Sequence, residues 1–96
     1  MRMAGAHVIL VNGYLVAWVV KGERQLLTFT DNVGERTSAE VRAEIARVLA
    51  AEVAPGKRRA ILLEEVDGES VHHSPMAGPL FESGFLRTSQ GFLKRL

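Results

Sequence analysis

HVILVNGYLVAWVV, residues 7–20, restricts the fold of this chain more than any other stretch. It is apolar almost throughout, and an Asn-Gly pair at positions 12 and 13 divides it. Val and Ile at this density crowd a helix but suit a pleated strand. Asn-Gly accepts the positive φ angles of the two-residue turn whose twist matches paired strands. The stretch is therefore expected to be a hairpin of strands 7–11 and 14–20. A strand with one wet face alternates apolar and polar residues. These strands do not alternate, so both of their faces are expected to be covered. Tyr14 and Trp18 share strand parity, as do Val16 and Val20, and with apolar neighbours on every side they are expected in the core. The Asn-Gly break also leaves no apolar run of about 20 residues for a membrane helix. A secretory leader is likewise not expected, since it needs a longer apolar region before a small-residue cleavage site.

The rest of the chain reads as alternating strands and helices. A turn at 21–24 leads to a third strand, 24–30, and a loop of turn formers follows. Thr37 and Glu40 have the spacing of a capping box, and Val41, Ile45, Val48, Leu49 and Val53 fall on one helical face. Pro55-Gly56 ends that helix. Residues 58–66 form a strand that leaves through Asp67-Gly68, with a short continuation at 69–71. A second helix is expected over 74–84, with Ser74 as N-cap, Pro75 at its first position and Gly84 as C-cap. Pro79 interrupts it or marks its true start. Residues 85–96 close as a hairpin bent at Ser89-Gln90-Gly91. The order βββ–α–β–α–ββ makes the fold α+β: a curled antiparallel sheet or small β-barrel joining the two termini. With 96 residues, 47% of them hydrophobic, the chain forms a single domain, 1–96, around one core.

Composition removes several chemistries. There is no cysteine, so disulfides, thiol nucleophiles and thiolate metal sites are absent, which fits a reducing, cytoplasmic setting. No phosphate-binding loop of the Gly-x-x-x-x-Gly-Lys type and no Gly-x-Ser-x-Gly elbow occurs. Too few helices are present for a three-helix DNA reader. His72-His73 invites a metal, but neighbouring strand residues point to opposite faces and nothing brings His7 to them. Glu64, Glu65 and Asp67 offer carboxylates without evident convergence on one atom. Catalytic, cofactor and metal residues are thus expected to be none in this chain. Net charge is only +1, so any phosphate contact must come from a local patch. Lys57, Arg58 and Arg59 enter one strand, while Arg87, Lys94 and Arg95 lie on the terminal hairpin beside Glu82. If the strand neighbours the hairpin, these six residues form one cationic surface.

Three stretches, GAHVILVNGYLVAWVVKGERQLLTF (5–29), ILLEEVDGE (61–69) and SPMAGPLFESGFLRTSQGFLKR (74–95), occur in this order. The set resembles the extreme C-terminus of the bacterial large helicase-related proteins, the Lhr family of superfamily 2 helicases. Those tails look like GA-x-VVLVDG-x-LAAYLERGGR-x-LLTF, then ERIDG, then SPL…L-x-EAGF-x-x-T-x-RGL-x-LR. Asn12-Gly13 stands at the Asp-Gly position and Val66-Asp67-Gly68 at Ile-Asp-Gly. Gly84-Phe85 and Gly91-Phe92 stand at Gly-Phe and Gly-Leu. VVKGERQ carries fewer charges than LERGGR, and Pro79 is additional.

The resemblance implies a large ATP-dependent DNA helicase of DNA repair as parent. Its motor domains, with their ATP and Mg, lie outside this chain. This segment would be a noncatalytic β-barrel packed against winged-helix modules, similar to the barrel of winged-helix DNA glycosylases. It would place DNA or hold subunits together. No helicase or glycosylase residue carries over to a position here. The alternative is a stand-alone α+β protein that forms a homo-oligomer through its apolar hairpin.

Overall fold

The computed structural model describes residues 2–3, 6–11, 14–19, 24–29 and 37–96. In chain order the elements are β1 (Arg2–Met3), β2 (Ala6–Val11), β3 (Tyr14–Val19), β4 (Gln25–Thr28), α1 (Ser38–Glu52), β5 (Ala60–Leu63), β6 (Glu65–Val66), β7 (Glu69–Ser70), a 3₁₀ turn (Val71–His73), α2 (Ala77–Glu82), β8 (Leu86–Arg87) and β9 (Phe92–Arg95). The first sheet has the order β1-β2-β3-β4-β6-β7 and the second β5-β9-β8. All pairs are antiparallel except β4 with β6.

The α+β class is the expected one, but among the described residues the strands do not close into a barrel, and the first and last strands lie in different sheets. The expected strand 58–66 is the reason. It breaks at Glu64, where the amides of Glu64 and Glu65 both donate to the Arg24 carbonyl at 2.7 and 3.0 Å. One stretch of chain thus serves the second sheet as β5 and the first as β6. The first sheet also gains a parallel pair, which a meander does not contain.

β2 and β3 form the expected hairpin, with Val11 opposite Tyr14. The Asn12-Gly13 turn itself, Val20, the turn at 21–23 and the loop at 31–36 lie outside the described residues. A bulge changes the pattern of the hairpin. Ile9 faces Ala17 but Leu10 faces Leu15, so Val16 is an extra residue on β3. Val16 and Ala17 are consecutive and both fully buried. Positions 14 and 18 pair with Val11 and Val8, three residues apart, so the parity expected for them is lost.

Among the described residues, the core fills one face of this sheet. Ile9, Ala17, Val19, Leu26 and Val66 are buried and join one core with Val41, Ile45, Ala46 and Leu49 of α1. On the other face Val8, Trp18 and Leu27 stand directly opposite one another across β2, β3 and β4. Leu10 and Phe29 lie two residues along from that row, and exposure reaches 48% at Leu10, 38% at Leu27 and 37% at Phe29. Trp18 is half-buried on this outer row rather than in the core. Uniform hydrophobicity marked strands without marking which face the chain itself fills.

α1 follows its sequence signals. Thr37 Oγ1 accepts the Glu40 amide at 3.1 Å and Glu40 Oε1 accepts the Thr37 amide at 2.9 Å, completing the capping box. Val41, Ile45, Leu49 and Val53 are buried, with Val48 packed beside them. Thr37→Ala removes one acceptor for the first-turn amides. It is expected to cost about 1 kcal/mol, read as a lower urea midpoint with unchanged slope.

α2 is shorter than expected. Pro79 is its third residue, where an N–H has no intrahelical acceptor, so the helix starts just ahead of the proline. Ser74 Oγ accepts the Met76 amide at 3.0 Å and so caps a turn before the helix, while Met76 occupies the N-cap position. At the other end Ser83 is the C-cap and Gly84 follows it at φ +103°. The Gly84 amide donates to Phe81 O at 3.1 Å and the Phe85 amide to Leu80 O at 3.0 Å. This is a Schellman closure, and Leu80 and Phe85 are both buried, as its hydrophobic contact requires.

Candidate nucleic-acid interface

β5 and β9 run antiparallel, so the entrance of one lies beside the exit of the other. Ala60 faces Arg95, Ile61 faces Lys94, and the Leu96 amide donates to the Arg59 carbonyl at 3.0 Å. The basic triplet is brought there by the end of α1. After Pro55, Gly56 turns at φ +82°, the Lys57 amide donates to Ala54 O at 3.0 Å, and the Arg58 amide reaches Glu52 O at 3.1 Å. Lys57, Arg58, Arg59, Lys94 and Arg95 thus share one end of the second sheet. Arg87 does not join them. It sits on β8 opposite Phe92, two residues before Lys94 on β9.

Strand alternation divides the cluster. Ile61, Leu63 and Phe92 face the core, so Arg59, Lys94 and Arg87 lie on that side by register. Arg95 and Ala60 lie on the outer side. Lys94 is half-buried and passes over Gly84, where a Cβ would meet its Nζ at 3.1 Å. Arg58 is half-buried and engaged, whereas Arg59, Arg87 and Arg95 are exposed.

The acidic neighbour is Glu52, whose carboxylate lies 3.7 Å from Lys57 Nζ in an exposed pair. Such a pair is screened and weak. Glu82 lines a groove of about 450 Å³ between α1 and α2 with Arg47. The sequence signal for Glu52 was its position five residues before Lys57 across a Pro-Gly turn.

The carboxylates at the far end of the same strand are held separately. Glu64 pairs with Arg24 at 3.3 Å. Asp67, at φ +53°, accepts the Thr28 amide at 2.7 Å and the Thr28 hydroxyl at 2.5 Å, pinning β4 to the β6–β7 turn. Glu65, Asp67 and Glu69 are exposed there. The chain's small net charge therefore averages a basic end and an acidic end, and a phosphate meets the local field rather than the sum.

His72 and His73 part company. The His72 Nε2 lies 2.7 Å from the Thr88 carbonyl, and its ring packs on Phe92 at 5.7 Å between centroids. The hydrogen bond makes Nε2 the protonated nitrogen, so this histidine fastens the 3₁₀ turn to the terminal hairpin. His73 is exposed. Among the described residues no three His, Asp or Glu side chains converge as a metal site requires. The side chain of His7 lies outside the described part. A small polar cavity of about 150 Å³, lined by Thr28, Arg42, Asp67 and Ser74 among others, is below the size of ordinary ligand pockets.

Fold and surface define an α+β module with a cationic sheet end and a separate apolar sheet face. No protein-family model, curated protein or solved structure matches the chain. No described helix is long and apolar enough to cross a membrane.

Proposed function

We propose that this chain is a noncatalytic C-terminal accessory module of a Lhr-type ATP-dependent DNA helicase, acting in the cytoplasm in DNA repair. It places DNA through its basic sheet end and packs on neighbouring modules through the outer face of its first sheet. The observation that carries this reading is the separation of those two surfaces. Leu10, Leu27 and Phe29 remain 37–48% exposed on a face that carries no basic cluster among the described residues. An apolar face of that kind suits a protein neighbour. The ordered set of family-like motifs supplies the identity of the neighbour. ATP and Mg belong to the motor domains of such a parent.

Reversing Lys57, Arg58, Arg59, Arg87, Lys94 and Arg95 to Glu is expected to weaken DNA binding at least tenfold at low salt, measured by fluorescence anisotropy. It also flattens the salt dependence by about one log unit per phosphate contact removed. Unchanged affinity overturns the DNA assignment. The coding sequence ahead of Met1 tests the parentage, since helicase motor motifs are expected there. Self-association through the exposed face of the first sheet is the competing reading. It predicts a dimer by analytical ultracentrifugation that Leu27→Lys dissolves.

A further inference from the structure

We propose that the outer face of the second sheet binds an unpaired DNA strand in preference to duplex. This rests on the reading of the chain as a DNA-placing module and names which form of DNA it takes. Leu62, Leu93 and Leu86 stand directly opposite one another across β5, β9 and β8. Their strand neighbours Ile61, Leu63 and Phe92 point into the core, so the three leucines form a row on the far side. Leu86 is 62% exposed, and Leu62 and Leu93 are half-buried. Two residues along, about 7 Å away, Ala60 and Arg95 face each other, and both are exposed. Lys57, Arg58 and Arg59 precede Ala60 at this cationic end, with Arg59 on the core side of the sheet by register. The nearest carboxylate at the opposite end, Glu64, is already paired with Arg24.

An apolar floor with a cationic end complements a ligand that presents apolar surface and negative charge together. Duplex DNA does not, because its base faces are stacked inside and only phosphates and base edges reach the outside. An unpaired strand exposes both its base faces and its phosphates, and a sheet surface takes them without regard to sequence. The aromatic outer face of the first sheet is the weaker candidate. It adjoins the exposed carboxylates of Glu65, Asp67 and Glu69, which repel phosphate.

The test is anisotropy of the whole chain with labelled oligothymidylate of roughly 12 nucleotides and with a duplex of equal length at low salt. Single strands are expected to bind roughly tenfold tighter than duplex. Leu86→Ser weakens single-strand binding roughly fivefold without changing duplex binding, and Leu86→Trp tightens it by adding a stacking surface. Arg95→Glu weakens both, and Leu27→Ser on the first sheet changes neither. Circular dichroism confirms that each variant is folded. Equal or tighter duplex binding, or indifference of single-strand binding to both Leu86 changes, overturns the inference while leaving the DNA-placing role standing. Absence of binding to either DNA overturns both.

Discussion

Gly91→Ala is expected to cost roughly 3 kcal/mol and to lower the melting temperature of the chain by roughly 15 °C or more. The cause is space. A Cβ at position 91 would sit 2.0 Å from the Leu63 carbonyl oxygen, 2.9 Å from the Leu63 carbonyl carbon and 3.1 Å from the Glu64 Cα. All three are backbone atoms, so no side chain can turn aside to make room. Relief requires β5 to move from the Thr88–Gly91 turn, and that motion opens the ladder that pairs Leu63 with Phe92. Leu63 is fully buried and Phe92 is 3% exposed, so the core opens with it. Gly78→Ala is the control. Nothing lies within 4 Å of a Cβ there, and the position is inside α2. Alanine at 78 is expected to stabilise by about 0.5–1 kcal/mol through helix propensity. Thermal melts followed by circular dichroism check both. A Gly91→Ala melt within a few degrees of wild type would refute the close approach.

Phe85→Ala is expected to be the most damaging truncation in the core, at about 3–5 kcal/mol. A chain of this size has a total stability of roughly 5–14 kcal/mol, so this variant loses a large share of it. Among the described residues Phe85 is the largest side chain that is fully buried. It also directly follows Gly84 in the Schellman closure, where its amide holds Leu80 O. Removing the ring leaves a cavity and takes away the apolar contact that fixes how α2 leads into β8. Phe85→Leu keeps most of the volume and is expected to lose much less. Urea denaturation that ranks wild type, Phe85→Leu and Phe85→Ala in that order bears this out. Equal midpoints for the two variants would show that ring volume is not what matters at 85.

Local signals translated well wherever the partner was close in sequence. Thr37 and Glu40 are three residues apart and bond each other as their spacing requires. Asn-Gly announced a hairpin, and Val11 faces Tyr14 across it. Gly84 announced a helix end and closes one at positive φ. Proline at 79 shortened α2 for a reason visible in the residue itself, its missing N–H. The signals that misled were those whose outcome depends on distant chain. The apolar density of β2 and β3 was expected to mean two covered faces; among the described residues, α1 and the core cover one of them. The bulge at Val16 leaves no mark in the run YLVAWVV, and it alone sets positions 14 and 18 out of phase.

The basic residues divide along the same line. That Lys57, Arg58 and Arg59 cluster was plain from their adjacency. That they meet Lys94 and Arg95 depended on an antiparallel pairing of β5 with β9 across more than thirty residues. Arg87 was grouped with them by its place in the terminal hairpin, yet the hairpin register holds it opposite Phe92, two residues before Lys94. Glu64 and Asp67 looked like equivalent carboxylates. Arg24 claims one and Thr28 the other, and both partners lie at or just before β4, forty or so positions earlier.

By itself the sequence determined the hairpin, the α1 cap and stripe and the glycine turn that closes α2, because each rests on contacts within a few residues. Tertiary structure alone decided that strand 60–66 divides between two sheets and, among the described residues, that no barrel closes and which apolar and cationic faces are exposed. Those outcomes follow from the Arg24 carbonyl capturing two successive amides and from long-range register, neither of which any local pattern encodes.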